Sequence, residues 1–424
     1  MAYLVAVVVA WKYPLTRDQH REVQREVRKQ RHKTEQGSGN RRWVMKVQRV
    51  ETEKDVWKFI QVQFEIYRGN PYWIPPMISD VEFVLDRENN PFYSHSQAEF
   101  FMAKEQGQVL GRVAVLDHSL YNKYHQSKTA FFYLFEAVDN LQVARLLFAA
   151  AIDWARQHSL RKMIGPLGMH AGDGHGVLVR GFRRRPGMGI SWNFPYYEGL
   201  LEQAGFEKLV DSFSAQVSIR DALEKNRARI QRIRQVAKKV KKHRGFRIMT
   251  FDSKQEVRKQ ATRLVPELKR VYNKSFAGLP LFWPMDEEGM QRVVDRFLAI
   301  ADPRLIRLVM KGADVVGFVL TYPNIVPGIR RAGGKLWPLG WLWIMLERYR
   351  SNWMDLNGIG ILPKYQGLGA AIVLYAELAK ILEESRFEWA VANQVSEKNV
   401  ENLREVQAFG VEFDRVHRVY QRLL

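Results

Sequence analysis

The sequence predicts an α/β (α+β) chain built from two copies of one unit. Three observations carry that expectation. Two apolar hairpins of the same pattern lie 206 residues apart, at Gly111 and Gly317. Each is followed by the same succession of strand, long helix, strand, short helix and strand. Apolar residues make up 46% of 424 positions, enough to fill two cores at roughly 100 to 200 residues per domain.

The elements follow in order along the chain. Residues 1–43 read as a basic arm, disordered or a mis-started addition. Its apolar run before Trp11 precedes Lys12, Arg17, Arg21 and Arg25, the reverse of the charge order in a secretory signal. The run is also shorter than the roughly 20 apolar residues that a bilayer crossing needs. Gln36, Gly37, Ser38, Gly39 and Asn40 form a polar break before the apolar pattern restarts at Trp43, Val44 and Met45. The fold is therefore expected to begin near Met45.

The first copy is expected over 44–219. Alternating runs at 101–104 and 110–115 turn at Gly107 and predict a hairpin. Strands at 130–138 and 161–167 flank a long helix at 143–158, and a short helix at 196–205 precedes a strand at 209–219. A basic linker over 220–247 follows, in which 222–244 reads as one helix with a narrow stripe of Ile230, Ile233, Val236 and Val240. The second copy, 248–424, repeats the order: a hairpin at 308–311 and 316–320 around Gly312, strand 353–362, helix 369–385, strand 387–395, short helix 399–410 and strand 413–423. Gly205 and Gly410, which end the two short helices, are 205 residues apart. Between hairpin and long helix the second copy carries an insertion at 325–350. The first copy recovers the length in a Gly-rich loop at 168–191.

Charge and cysteine content narrow the function classes. Of the formal +21, +6 sits in residues 1–45 (ten Lys/Arg against four Asp/Glu) and +10 in 220–247 (twelve against two), which leaves +5 for the rest. The basicity is a property of connectors, so a nucleic-acid partner is possible and not favoured. With no cysteine, the chain has no disulfide, thiolate nucleophile, thiolate zinc site or iron–sulfur cluster, and a cytoplasmic location is expected. His170, Asp173 and His175 match no ligand spacing, so no metal is expected.

One segment carries chemistry. Pro363, Lys364, Tyr365, Gln366, Gly367, Leu368, Gly369, Ala370 and Ala371 lie between a strand and a helix. Small residues there let the main chain approach a ligand, and the helix start offers N–H groups and a positive dipole end to an anion such as a pyrophosphate. Gln366, Gly369 and Ala371 fill the Q/R-x-x-G-x-G/A pattern, and Asn399 opens the short helix that ends at Gly410. With the element order, these residues resemble the GNAT acetyltransferase superfamily, and 44–424 resembles its tandem bacterial members with a degenerate first unit. Arg68 to Pro76, Asn90 to Phe92, Gly165–Pro166 and Pro195 to Tyr197 look like recurrent stretches of that group.

The resemblance implies twisted, mixed and mostly antiparallel sheets flanked by helices. It also implies acetyl-CoA, or another acyl-CoA, as co-substrate of an N-acyltransferase acting on a small-molecule or peptide amine. Gln366, Gly367, Leu368, Gly369, Ala370, Ala371 and Asn399 would hold the cofactor, with Ile359, Gly360, Ile361 and Leu362 beside the pantetheine arm. The first copy has Asp139, Asn140, Leu141 and Gln142 where that loop should be, so one cofactor site is expected.

Amine acylation needs a base, an oxyanion stabiliser and an acid for the leaving thiolate. Asp355, on the strand leading to the loop, is a candidate base. Val406 stands where the family often places a Tyr acid, leaving Tyr365, Tyr375 or a water. Arg180, Arg183, Arg184 and Arg185 could hold an acidic acceptor or a CoA phosphate, or could face solvent. The Trp-rich insertion, flanked by Arg330, Arg331, Arg348 and Arg350, reads either as a membrane-interface anchor or as a lid. Two alternatives from other classes remain: an aminoacyl-tRNA-dependent transferase of paired GNAT architecture, and a non-catalytic CoA-binding protein.

Overall fold

The computed structural model describes residues 45–170 and 173–424; the arm expected over 1–43 lies outside them. Two runs of the same elements make up the rest. The first contains β1 (Lys46–Arg49), α1 (Glu53–Ile66), α2 (Ile78–Leu85), β2 (Gln97–Glu105), β3 (Gln108–Asp117), α3 (Ser119–His125), β4 (Thr129–Ala137), α4 (Leu141–Gln157), β5 (Lys162–Gly165), β6 (Val177–Arg180), α5 (Tyr196–Gln203) and β7 (Glu207–Ser218). Two connecting helices follow, α6 (Ile219–Lys225) and α7 (Arg227–Arg244). The second contains β8 (Phe246–Met249), α8 (Lys254–Ser275), α9 (Glu287–Ile300), β9 (Arg307–Lys311), β10 (Asp314–Pro323), α10 (Val326–Ala332), α11 (Gly340–Arg350), β11 (Trp353–Ile361), α12 (Ala370–Glu384), β12 (Trp389–Ser396), α13 (Val400–Ala408) and β13 (Arg415–Leu423).

All strands join one thirteen-stranded sheet in the order β1-β2-β3-β4-β5-β13-β7-β12-β11-β10-β9-β8, with β6 paired to β13 off that path. Two pairings are parallel, β4 with β5 and β11 with β12, one in each copy; the rest are antiparallel. The last strands are exchanged. β13, from the end of the second copy, inserts between β5 and β7, and β7 from the first copy borders β12. The copies are thus consecutive in sequence and interleaved in the sheet.

The long helices form where the apolar period places them. α4 buries Val143, Leu147, Phe148 and Ala151 on one face, and α12 buries Val373, Leu374 and Ile381. Val373 and Leu374 pack with Leu308, Val309, Val316 and Phe318 of β9 and β10 in the second core, where Leu374→Ala would cost about 2–5 kcal/mol, while Ile381 packs with Ile219, Leu305 and Met354. The first core gathers Phe100, Met102, Ala114, Leu116 and Phe131, and admits Trp283 from the second copy.

The linker helix read as continuous over 222–244 is broken at Asn226. That residue is buried, and its Nδ2 donates to Ala222 O at 2.8 Å and to Phe409 O, just past the end of α13, at 2.9 Å, so a tertiary contact coincides with the break. Beyond it, α7 lies along α12: Lys241 Nζ donates to Glu377 at 3.3 Å and Arg234 pairs with Glu383. Part of the basic stripe is spent on this docking.

Candidate active site

The pairing of β11 with β12 runs from Trp353–Trp389 to Leu356–Ala392 and stops there. Beyond it, residues 358–361 of β11 stay registered with β10 on the other side. The two central strands therefore part, and the edge of β11 that carries Ile359, Gly360 and Ile361 opens into the gap. Glycine at 360 is a packing requirement, since a Cβ there would lie 2.7 Å from the Phe318 ring.

Asp355 sits one residue before the last registered pair of β11 and β12, opposite Tyr322 on β10 and Val391 on β12. It is 0% exposed. Its Oδ2 accepts from Asn324 Nδ2 and its Oδ1 from Asn393 Nδ2, both at 2.8 Å. Burial pushes its carboxyl up to about 6, against the opposing pull of Asn393, the Met188 main-chain N–H, Asn324 and the Arg185 cation. A carboxylate so placed is ionised at neutral pH and is still able to take a proton.

Arg185 and Met188 belong to the Gly-rich loop of the first copy. Arg185 Nη2 donates to Asn324 Oδ1 at 3.1 Å, and its guanidinium lies 4.8 Å from the Trp353 ring centroid. Its main-chain oxygen accepts from Gln216 Nε2 at 2.8 Å and Arg415 Nη1 at 2.7 Å, one from each exchanged strand. The other arginines of the loop go elsewhere: Arg183 is exposed, Arg180 donates to Phe413 O, and Arg184 pairs with Asp414. His170, Asp173 and His175 are separated in use, Asp173 accepting from the His170 main chain and His175 meeting Ser212 Oγ at 3.0 Å.

Downstream of the gap, Leu362 is buried, Pro363–Tyr365 forms a 3-10 turn, and Gln366, Gly367 and Leu368 are exposed. Gln366 Nε2 donates back to Ile361 O at 3.2 Å. Gly367 and Gly369 take φ of 68° and 91°, where a side chain is strained. Gly369 is the N-cap of α12, with no side-chain cap and no acidic residue in the first turn. The helix start at Ala370 and Ala371 thus presents bare N–H groups, which suits a phosphate. In the first copy the equivalent helix start is closed, because Asn140 Oδ1 accepts from Gln142 N at 2.9 Å. Of the two long helices α4 and α12, α12 is the one whose start has no side-chain cap.

Tyr375 and Asp355 share no partner. The Tyr375 hydroxyl bonds Glu405 on α13, and its ring lies 6.3 Å from Phe409. Burial and that carboxylate raise it well above its ordinary value, so it keeps its proton. Tyr365 packs edge-on against Phe246 at 6.0 Å. Asn399 caps α13, accepting from Asn402 N at 3.3 Å. No motif in the sequence ties Asn324, Asn393 or Met188 to Asp355, and Arg185 stands out there without Asp355 as its neighbour. Asn393, directly after the apolar run 389–392, is the local signal on β12.

No protein-family model matches the chain. It is 23% identical over 376 residues to protein YghO of Escherichia coli (strain K12), covering 87% of this chain and 93% of that protein. It is 25% identical over 316 residues to the bacterial ceramide synthase of Caulobacter vibrioides, covering 73% and 79%. Among solved structures, a tandem GNAT protein from the clavulanic acid biosynthesis pathway matches with TM-score 0.50 at 11% identity, covering 90% of this chain and 98% of that one. A glucosamine N-acetyltransferase region in a fungal multi-domain β-N-acetylglucosaminidase matches with TM-score 0.52 at 12% identity over 91% of this chain, which spans 39% of that longer protein.

Proposed function

We propose that this chain, whose fold is that of tandem GNAT proteins, is a CoA-dependent N-acyltransferase with one site, in its second copy. The observation that carries the reading is Asp355: a fully buried carboxyl, held near 6, at the point where β11 and β12 part. That strand leads into an uncapped glycine-rich helix start. Base and anion cradle lie on one continuous segment, 355–371.

The residues take these roles. The first-turn N–H groups of α12 and the small residues Gly367, Gly369, Ala370 and Ala371 hold the pyrophosphate, with Gln366 and Leu368 at the loop's surface. The free edge of Ile359, Gly360, Ile361 and Leu362 binds the pantetheine arm, and Asn399, at the start of α13, completes the cofactor set. An acyl-CoA supplies the activated thioester. Asp355, directly or through one water, takes the proton that the ammonium must lose before nitrogen attacks the carbonyl carbon. Asn324 and Asn393 hold its two oxygens in place, so the proton moves without reorganisation. The departing thiolate takes a proton from Tyr375 or from solvent, two routes that Tyr375→Phe separates.

The ceramide synthase relative supports an amide-forming reaction on a lipid amine, since ceramide is the amide of a fatty acid and a long-chain amino alcohol. On that support we assign a long-chain amine as acceptor and leave the acyl length open to measurement. Release of free CoA from acetyl-, decanoyl- and palmitoyl-CoA, with and without a long-chain amino alcohol, tests it. Release that depends on the amine and is lost in Asp355→Asn supports the reading. CoA binding without amine-dependent release would make the chain a CoA-binding protein, and absence of CoA binding would remove both.

A further inference from the structure

The insertion that the acyl-transfer reading leaves unexplained is the α10–α11 hairpin. Among the described residues thirteen large apolar side chains are exposed, and seven of them lie between 336 and 349. Trp337 is 78% exposed and Leu339 58%, with Leu336, Trp341, Leu342 and Trp343 beside them. The fold holds these side chains out. Gly328 lets α10 approach the α11 main chain, where a Cβ would lie 2.7 Å from Trp343 O. Glu347 is turned inward and paired with Arg331 at 3.2 Å. The turn is pinned from the first copy by Ile78 N, which donates to Gly334 O at 2.8 Å. The Trp341 indole N–H is satisfied by Pro338 O at 3.0 Å. A mobile loop could fold its apolar residues away; this one is tied down with them outward.

We propose that this hairpin docks the protein on an anionic lipid bilayer. Residues 326–350 carry five cations, Arg330, Arg331, Lys335, Arg348 and Arg350, against one acid, a net of +4. Indole and leucine side chains framed by arginines match the acyl–headgroup boundary of a bilayer with negative headgroups. No helix among the described residues is long and apolar enough to cross a membrane, so the hairpin lies in the interface. A second copy of the chain is a poorer occupant, because a two-fold contact would set the +4 of one patch against the +4 of the other.

The hairpin also sits at the proposed chemistry. Asn324, which precedes α10, donates to Asp355, and Ser351, which follows α11, donates from Oγ to Asn324 O at 2.8 Å. Docking therefore brings the neighbourhood of Asp355 to the membrane surface, where a lipid amine would present its headgroup. This last step rests on the acyltransferase reading; the docking does not.

The test uses the full chain with phosphatidylcholine vesicles, with and without phosphatidylglycerol, read by flotation and by tryptophan emission. The parent should float with the phosphatidylglycerol vesicles and shift its emission to the blue. Trp337→Ser combined with Leu339→Ser should weaken partitioning by roughly tenfold or more. Lys335→Gln with Arg350→Gln should weaken it about fivefold per cation removed, with a shallower salt dependence. Melting temperature and acetyl-CoA binding should stay those of the parent in both variants, which separates loss of docking from loss of fold or of the CoA site. A parent that ignores anionic vesicles overturns the proposal. So does vesicle binding that both variants retain. A parent dimer in sedimentation equilibrium that Trp337→Ser dissociates, with no lipid binding, would assign the patch to a second copy instead.

Discussion

Arg185, from the loop of the first copy, donates to Asn324 of the second copy at 3.1 Å, and the other end of that Asn amide donates to Asp355. The candidate base is thus one side chain away from a cation supplied by the copy that has no cofactor loop. The loop of the first copy, held by Gln216 and Arg415 from the two exchanged strands, reaches the polar cluster around Asp355.

Asp355→Asn should cut turnover and stabilise the fold. A carboxyl raised from 3.8 to about 6 is more protonated folded than unfolded. Its stabilising contribution is complete below about 3.8 and is lost as pH rises through about 6. At pH 7 the parent bears a strain of up to about 3 kcal/mol that a neutral amide does not. Asp355→Asn is therefore expected to melt higher than the parent at pH 7.5, by about 1–3 kcal/mol in denaturant titration, with the difference vanishing near pH 4. The parent's kcat/KM should rise through an apparent pKa of about 6, and the variant should fall by roughly 10²–10⁴. An active, less stable variant would show that Asp355 is structural.

Gly369→Ala should damage the proposed CoA loop in two separable ways. The residue has φ 91°, and an added Cβ would lie 2.8 Å from Val240 Cγ1 on α7. The backbone term costs about 1 kcal/mol or more. The steric term should be relieved by Val240→Ala, giving a coupling of about 1 kcal/mol in a double-mutant cycle. Affinity for acetyl-CoA, measured by calorimetry, should drop at least about tenfold. Asn140→Ala, which uncaps the matching helix of the first copy, should cost about 1 kcal/mol of stability and leave that affinity alone. Equal losses of affinity would place the site elsewhere.

These contacts also mark what the sequence could disclose. The long helix expected over 143–158 is α4 at Leu141–Gln157, and the one at 369–385 is α12 at Ala370–Glu384, because a 3.6-residue apolar period is written locally. The exchange of β7 and β13 is not local. Both strands alternate in the same way, and only their pairing across the chain decides which copy each completes. The break at Asn226 coincides with a bond to Phe409 O, which no propensity could announce. At the site, the glycine loop was legible as a motif. The surroundings of Asp355 were not, since Met188, Arg185, Asn324 and Asn393 come from three separate segments.

Acid should loosen the junction of the exchanged strands. Burial pushes His175 and His417 down to about 4, with His175 Nε2 3.0 Å from Ser212 Oγ and His417 Nε2 2.9 Å from Ser191 O. Both folded values lie below the ordinary 6.5, so the unfolded chain binds protons that the folded chain does not. Stability is full above about 6.5 and is lost as pH falls toward about 4, by up to several kcal/mol from the pair. Asp355, raised by burial, acts in the opposite direction over an overlapping window, so the measurement belongs in an Asp355→Asn background. Urea midpoints there should fall steadily between pH 7 and pH 4.5, and His417→Gln should flatten the slope. A midpoint independent of pH would mean that the folded protein accommodates the charged rings.

The last prediction concerns the cation that reaches Asp355. A positive charge nearby favours the carboxylate, so Arg185 holds Asp355 lower than burial alone would. Arg185→Gln keeps a donor for Asn324 Oδ1 and removes the charge. The acid limb of the parent's kcat/KM profile should move up by about half a unit to one unit. Turnover then falls several-fold near pH 6 and approaches the parent above pH 8, where the carboxylate is ionised in both. Arg185→Ala removes the donor as well and frees Asn324 to turn, so its loss should persist at high pH. Arg184→Gln is the control: its side chain is 59% exposed and pairs with Asp414 at 3.6 Å, away from Asp355. If Arg185→Gln lowered turnover equally at every pH, with the limb unmoved, Arg185 would serve only to pin the loop, and the electrostatic link between the copies would be wrong.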